Sequence, residues 1–218
     1  MRPGLCHDAP MDTFAEIADE RRSLAAQLSG LTAEQQATQS LCSEWSVRDV
    51  VAHLVVPLEV NIPKFALAML ACRGNFDRAN IRLAREQARR PFGEIIEVLR
   101  GKADSRFTPP GSGPDAPLTD LLVHGLDIRW PLGLPRDIPP ERMQKSLDYV
   151  TDAPVGRVVS KGTLEGLRFE ANDVDWAHGS GPVVSGSAEA LLLALTGRTA
   201  ALGHLSGDGV STLRGRLA

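Results

Sequence analysis

Apolar residues recur at helical spacing through the first two thirds of the chain and give way to alternation near its end. From Asp12 to Leu31, Phe14, Ile17, Ala18, Leu24, Ala25 and Leu28 lie among charges, predicting a helix that stops near Gly30. A second helix starts at Ser46, because Ser46-Val-Arg-Asp49 has the form of a capping box with the acid at the third helical position. Its stripe of Val47, Val50, Val51, Leu54, Val55 and Leu58 makes it a core-facing helix. Pro57 is expected to kink or end it, with a continuation from Ala66 to Ala71. His53 lies off that stripe, beside Ala52, Val56 and Val60, so it sits among buried neighbours rather than on a charged face. A third helix is predicted from about Asp77 to Arg100, with an arginine-rich outer face and Phe92, Ile95, Ile96 and Leu99 inward.

The run Pro109-Pro-Gly-Ser-Gly-Pro114 breaks the chain before a fourth helix, Pro117 to Trp130, which stops at Pro131-Leu-Gly133. Four such helices predict a bundle whose core can hold a metal. A short helix follows from Pro140 to Val150, and then the period changes. Leu164 to Ala171 alternates apolar and polar residues, and Asp173 to Trp176 continues that period, reading as two strands joined near Asn172. Ser185-Gly-Ser187 caps a helix from Ala188 to Leu195, closed by Gly197, and Ser206-Gly-Asp-Gly209 precedes a last helix from Val210 to Leu217. The expected fold class is α+β, with a four-helix bundle over residues 1–153 and a small α+β domain over 154–218.

Composition narrows the function. Hydrophobic residues make up 43% of the 218, enough for a packed core, and the net charge of −3 gives no basic footprint for nucleic acid. Cys6, Cys42 and Cys72 are odd in number and far apart, which suits neither a disulfide framework nor a thiolate zinc site. Residues 1–10 lack the apolar run of a signal peptide. The greasiest stretch, Val50 to Leu58, is too short to span a bilayer and contains His53 and Pro57. A reduced, cytoplasmic protein with no nucleic-acid and no membrane partner is expected.

The chemistry sits in a repeated pattern, Asp49-Val-Val-Ala-His53 and Asp120-Leu-Leu-Val-His124. Residues four apart on a helix share a face, roughly 40° apart around the axis. Two imidazoles and two carboxylates among apolar residues are costly to bury unpaired. Either each histidine hydrogen-bonds its own helix neighbour, or His53, Asp120 and His124 hold one divalent metal, with positions left open for water or substrate. Asp49 already has a structural task in its capping box, so Asp120 is the carboxylate assigned to the metal. Asp127, three residues after His124, is the expected acceptor orienting an imidazole, and Asp49 is a further outer-sphere candidate; the alternative for Asp127 is a surface acid beside Arg129.

Trp45-Ser-Val-Arg-Asp-Val-Val-Ala-His53-Leu, Leu121-Leu-Val-His-Gly-Leu-Asp-Ile-Arg129 and Pro131-Leu-Gly133 resemble the mycothiol-dependent maleylpyruvate isomerase family, among the DinB-like metal-binding helical bundles. Ser187-Ala-Glu-Ala-Leu-Leu-Leu-Ala-Leu-Thr-Gly-Arg198, with Leu205-Ser-Gly-Asp-Gly209, is similar to its smaller C-terminal domain. The resemblance implies a divalent metal, zinc or alternatively nickel, on His53, Asp120 and His124, with Asp120 standing where the family has a glutamate one methylene longer. It also implies mycothiol as co-substrate. A metal-activated thiolate adds to a conjugated cis double bond and is eliminated after rotation in an isomerase, or stays on the product in an S-transferase. The partners implied are a small thiol and an electrophile, with the chain a monomer or homodimer. The alternatives are a metal-dependent hydrolase, using Asp127 or Asp49 as base, and a non-catalytic metal- or ligand-binding bundle. Arg129 and Arg198 are candidates for binding a substrate or thiol carboxylate, against a reading as solvated arginines at helix ends. Cys42 reads as an incidental thiol, with no cationic cluster evident around it.

Overall fold

A computed structural model describes residues 12–153 and 158–217. Cys6, the N-terminal ten residues and most of the expected boundary near 154 lie outside the described residues. The helices are α1 (Thr13–Leu28), α2 (Ala33–Ala37), α3 (Val47–Glu59), α4 (Ile62–Ala71), α5 (Phe76–Gln87), α6 (Phe92–Gly101), α7 (Asp115–Leu132) and α8 (Pro140–Asp152). After them come strands β1 (Arg168–Ala171), β2 (Ala177–Gly179) and β3 (Val183–Gly186), helix α9 (Ala188–Leu195), a 3₁₀ turn (Thr199–His204) and α10 (Val210–Leu217). The class is α+β, mostly helical, and none of these helices is long and apolar enough to cross a membrane.

α3 begins where the capping box requires. The Ser46 hydroxyl accepts the Asp49 amide, while the Asp49 carboxylate takes the Ser46 N–H at 3.0 Å and its hydroxyl at 2.6 Å. Val47, Val50, Val51 and Val55 are fully buried, as their stripe predicts, and Ala52 and Val56 on the second strip beside His53 are buried too. Pro57 sits inside α3, which runs on through Glu59 before α4 starts afresh on an Asn61 cap. The predicted third helix is two helices instead. Pro91 is the N-cap of α6, and the chain leaves α5 four residues earlier, because proline lacks an N–H and disfavours helix in the residue before it. Arg48 reaches across from α3 to the carbonyls of Ala88 and Arg90 in that break.

The alternating region also differs from expectation. Of Leu164 to Ala171 only the last four residues form a strand, and Asp173 to Trp176 is a turn. Asp173 is committed there because its carboxylate accepts the Ala188 amide, at the start of α9. β1 pairs antiparallel with β2 and parallel with β3, giving the order β2-β1-β3.

One continuous core joins the bundle to this sheet. It runs from Leu24 and Val51 through Leu122, Leu126 and Leu147 to Phe169 and Leu191–Leu195. α9 packs on α7 and α8, and the Trp176 indole donates to Asp148 at 2.8 Å. Beside that core lies a buried ion-pair network between α1, α7 and α8. Arg129 meets Glu20 at 2.8 Å, and Arg142 meets Glu20 and, at the solvent edge, the exposed Asp19. The charges of α1 therefore do not all face water, because α7 and α8 cover that flank as well.

Candidate metal centre

Three elements converge on one point: the middle of α3, the second and third turns of α7, and the loop Thr38–Trp45 that leads into α3. That loop is tied to α7 by the Leu41 amide, which donates to the carbonyl of Asp127 at 3.1 Å. Helical spacing puts Asp120 and His124 on one face of α7, and packing of α7 on α3 brings them to His53. Asp120 Oδ1 is 3.7 Å from His53 Nε2 and 3.6 Å from His124 Nε2. One donor atom from each of the three lies within 4.8 Å of the others. The imidazole centroids are 4.7 Å apart at 71°.

His53 and His124 have side chains 9% and 13% exposed, whereas that of Asp120 is 46% exposed, so the group opens to solvent along Asp120. Trp45 closes another side, with its ring 4.9 Å from that of His53 and 6.1 Å from that of His124.

Two observations test whether these residues fit a divalent ion. Ligand atoms around a four-coordinate zinc ion with ~2.0–2.1 Å bonds lie roughly 3.3–3.4 Å apart. The carboxylate–imidazole separations of 3.6 and 3.7 Å are close to this and too long for hydrogen bonds. His53 is buried with no partner on Nδ1 and none within hydrogen-bonding distance on Nε2, an arrangement that a cation at Nε2 relieves. The residues fit. A borderline metal suits two nitrogens and one oxygen better than calcium or magnesium does.

Electrostatics point the same way. Asp120 is lowered to about 2: partial desolvation in the pocket works against its charge and is outweighed by His124, then by His53 and Arg198. His124 is raised to about 10: burial opposes the imidazolium, and Asp120 together with hydrogen bonds to Asp127 and Cys42 overcomes it. Asp127 is held below the usual carboxylate range, where burial is again outweighed by His124 and Arg198. Without a metal, the group thus keeps a proton on His124 between two carboxylates.

Asp127 is wholly buried, not a surface acid, and its Oδ2 lies 2.9 Å from His124 Nδ1. Asp49 belongs to the α3 cap, with its carboxylate bonded to Ser46 rather than to His53, and so does not orient an imidazole. Arg129 is neither ligand-facing nor solvated: its side chain is 4% exposed, paired with Glu20 and bonded to Gln27 at 2.8 Å. Burial of α1 against α7 consumes it.

Arg198 comes to the centre from the turn after α9. It grips Asp127 and leaves its donors occupied rather than open to a substrate carboxylate. It also lies 3.3 Å from Cys42 Sγ, so that thiol does have a cation beside it, contrary to the sequence expectation. Cys42, His124 and Asp127 form a second group of potential ligands, but the Arg198 guanidinium is already the cation there.

Trp45 as a wall of the site was missed from sequence, although its place directly before the Ser46 cap puts it at the mouth of α3. The Arg198–Asp127 contact spans 71 residues and has no local signal.

Both parts of the chain match a known protein family. Residues 17–104 match the family model for the mycothiol maleylpyruvate isomerase N-terminal domain, and residues 137–216 match the model for the C-terminal domain of the same enzyme. His53 and Arg198 fall inside those matches, while Asp120 and His124 lie in the segment between them. No curated protein matches the sequence. Two solved structures resemble the fold: a mycothiol-dependent maleylpyruvate isomerase, at 18% identity, and a histidine-to-alanine mutant of such an enzyme, at 17%. Each match covers 91% of this chain and 96% of the other with a TM-score of 0.53. With both of its characteristic domains matched in order along one chain, the protein belongs to the mycothiol-dependent maleylpyruvate isomerase family.

Proposed function

We propose that this protein is a metal-dependent enzyme that uses mycothiol to isomerise a small cis-unsaturated acid of the maleylpyruvate type, with zinc held by His53, Asp120 and His124. The observation that carries this is the meeting of two imidazole Nε2 atoms and one carboxylate at a point open to solvent on one side. Family membership supports the thiol half, as do the solved relatives described as mycothiol-dependent maleylpyruvate isomerase. A divalent ion bound there lowers the pKa of a coordinating thiol and so supplies a thiolate at neutral pH.

The chain's own residues prepare that site. Asp127 takes the hydrogen on His124 Nδ1, which leaves the Nε2 lone pair facing His53 and Asp120. Asp120 supplies a negative charge that offsets a dication. Trp45 covers the imidazole rings and limits water to the Asp120 side. In this reading residues 1–153 form the metal-bearing bundle, and 154–218 the module that delivers Arg198.

The hydrolase alternative needs a free carboxylate as base. Both oxygens of Asp127 are committed to Arg198, His124 and Cys42, and Asp49 is held by Ser46 at the start of α3 rather than at His53, which argues against it.

Elemental analysis under metal-replete conditions is the first test. Wild type is expected to carry one zinc per chain, and His53→Ala and His124→Ala much less; equal, low contents would remove the metal reading. Metal-loaded protein is then assayed on maleylpyruvate with mycothiol. Turnover that needs the thiol without consuming it identifies an isomerase, stoichiometric consumption an S-transferase. Failure to bind or consume mycothiol leaves a binding bundle.

A further inference from the structure

The carboxylate behind His124 is held by far more than that histidine. Asp127 Oδ1 accepts Arg198 Nε at 3.0 Å. Oδ2 faces Arg198 Nη2 at 2.7 Å, His124 Nδ1 at 2.9 Å and Cys42 Sγ at 3.1 Å. Arg198 Nη1 donates to the Thr196 carbonyl at 2.6 Å, which braces the guanidinium against its own loop. The backbone is built to deliver this side chain. Gly197, at φ +89°, closes α9 in the left-handed region, and the Arg198 amide returns to the Leu193 carbonyl at 2.8 Å.

We infer that Arg198 is a positioning residue of the metal centre: its two-pronged grip on Asp127 fixes the plane of the His124 ring, so the C-terminal part of the chain sets the aim of a ligand in the bundle. The inference rests on the metal reading above. A fork of two parallel N–H bonds fixes the carboxylate in rotation as well as in place, which a single point charge does not do. With the fork gone, Asp127 keeps only the imidazole and the thiol as donors and is free to turn about its side-chain bonds. His124 Nε2 then loses its fixed direction toward His53 and Asp120. Outer partners of metal-binding histidines typically change metal affinity 10–100-fold when removed.

Three variants test this: Arg198→Ala, Arg198→Lys and, as control, Arg136→Ala. Arg136 also ties the bundle to α9, through Glu189 at 2.9 Å, but touches nothing at the centre. Zinc affinity is measured by chelator competition, and the visible spectrum of bound Co(II) reports ligand geometry. Arg198→Ala is expected to bind zinc 10–100-fold more weakly, with an altered Co(II) spectrum. Arg198→Lys restores charge without the fork and should fall between, while Arg136→Ala should match wild type in both readouts. If Arg198→Ala does not fold, Arg198→Lys decides alone: wild-type affinity and spectrum in it overturn the inference. Equal affinities in wild type and Arg198→Ala overturn it too, and leave the metal centre standing. A wild type that takes up neither zinc nor cobalt overturns both.

Discussion

Zinc uptake by this protein should release a proton, because the metal and that proton compete for His124. Metal ligation requires a neutral imidazole, yet His124 is raised to about 10, burial being outweighed by Asp120, Asp127 and Cys42. Asp120, lowered to about 2, is already ionised at neutral pH and releases nothing. At about pH 7.5 the His124 proton must therefore be displaced some two to three pH units below its own pKa. At about 1.4 kcal/mol per unit this weakens apparent binding by about 3 kcal/mol, a few hundred-fold. The sign is fixed: apparent affinity rises with pH, about tenfold per unit between about pH 7 and 9, and levels off as pH approaches 10. Calorimetric titration of the metal-free protein in buffers of differing ionisation enthalpy counts the protons directly, and the count attributed to His124 is about one. Asp120→Asn removes the group that most favours the imidazolium, so levelling should begin at lower pH. Zero proton release with an affinity flat from pH 7 to 9 would refute the protonated His124 of the metal-free state.

The same shift makes the stability of the metal-free protein pH-dependent. A group whose pKa is raised on folding stabilises fully below its unfolded value, here about 6.5, and loses that contribution as pH climbs toward 10. The melting temperature in chelator should fall across that window, and that of zinc-loaded protein should not follow it. Glu20→Ala leaves Arg129 and Arg142 buried without their shared carboxylate. It should cost about 3–5 kcal/mol in urea unfolding with zinc content per folded chain unchanged. Asp49→Ala removes the reciprocal half of the α3 capping box and should cost ~1 kcal/mol with zinc stoichiometry intact. Loss of zinc on that substitution would return Asp49 to the metal centre.

Signals held within one element are mostly legible in the sequence, and those shared by two elements are not. The α3 cap, its buried stripe and the shared face of Asp120 and His124 all follow from the helical repeat, which acts over three or four residues. The break at Pro91 is equally local, but the apolar period resumes beyond it and hides it. β3 has no local signal, because its four residues become a strand by pairing with β1 rather than by alternation.

The site divides along the same line. Composition, period and capping determined by themselves a helical protein whose second and fourth predicted helices carry histidines in apolar surroundings, with Asp120 one turn before His124. Only the tertiary structure decided what those groups meet. It set His53 against Asp120 across two helices, sent Arg129 into a buried pair with Glu20, and brought Arg198 and Cys42 to Asp127 from 71 and 85 residues away. Helical hydrogen bonds reach four residues and leave their period in the chain. Contacts made by packing reach any distance along it, because burying an ion requires a partner nearby in space whatever the separation in sequence.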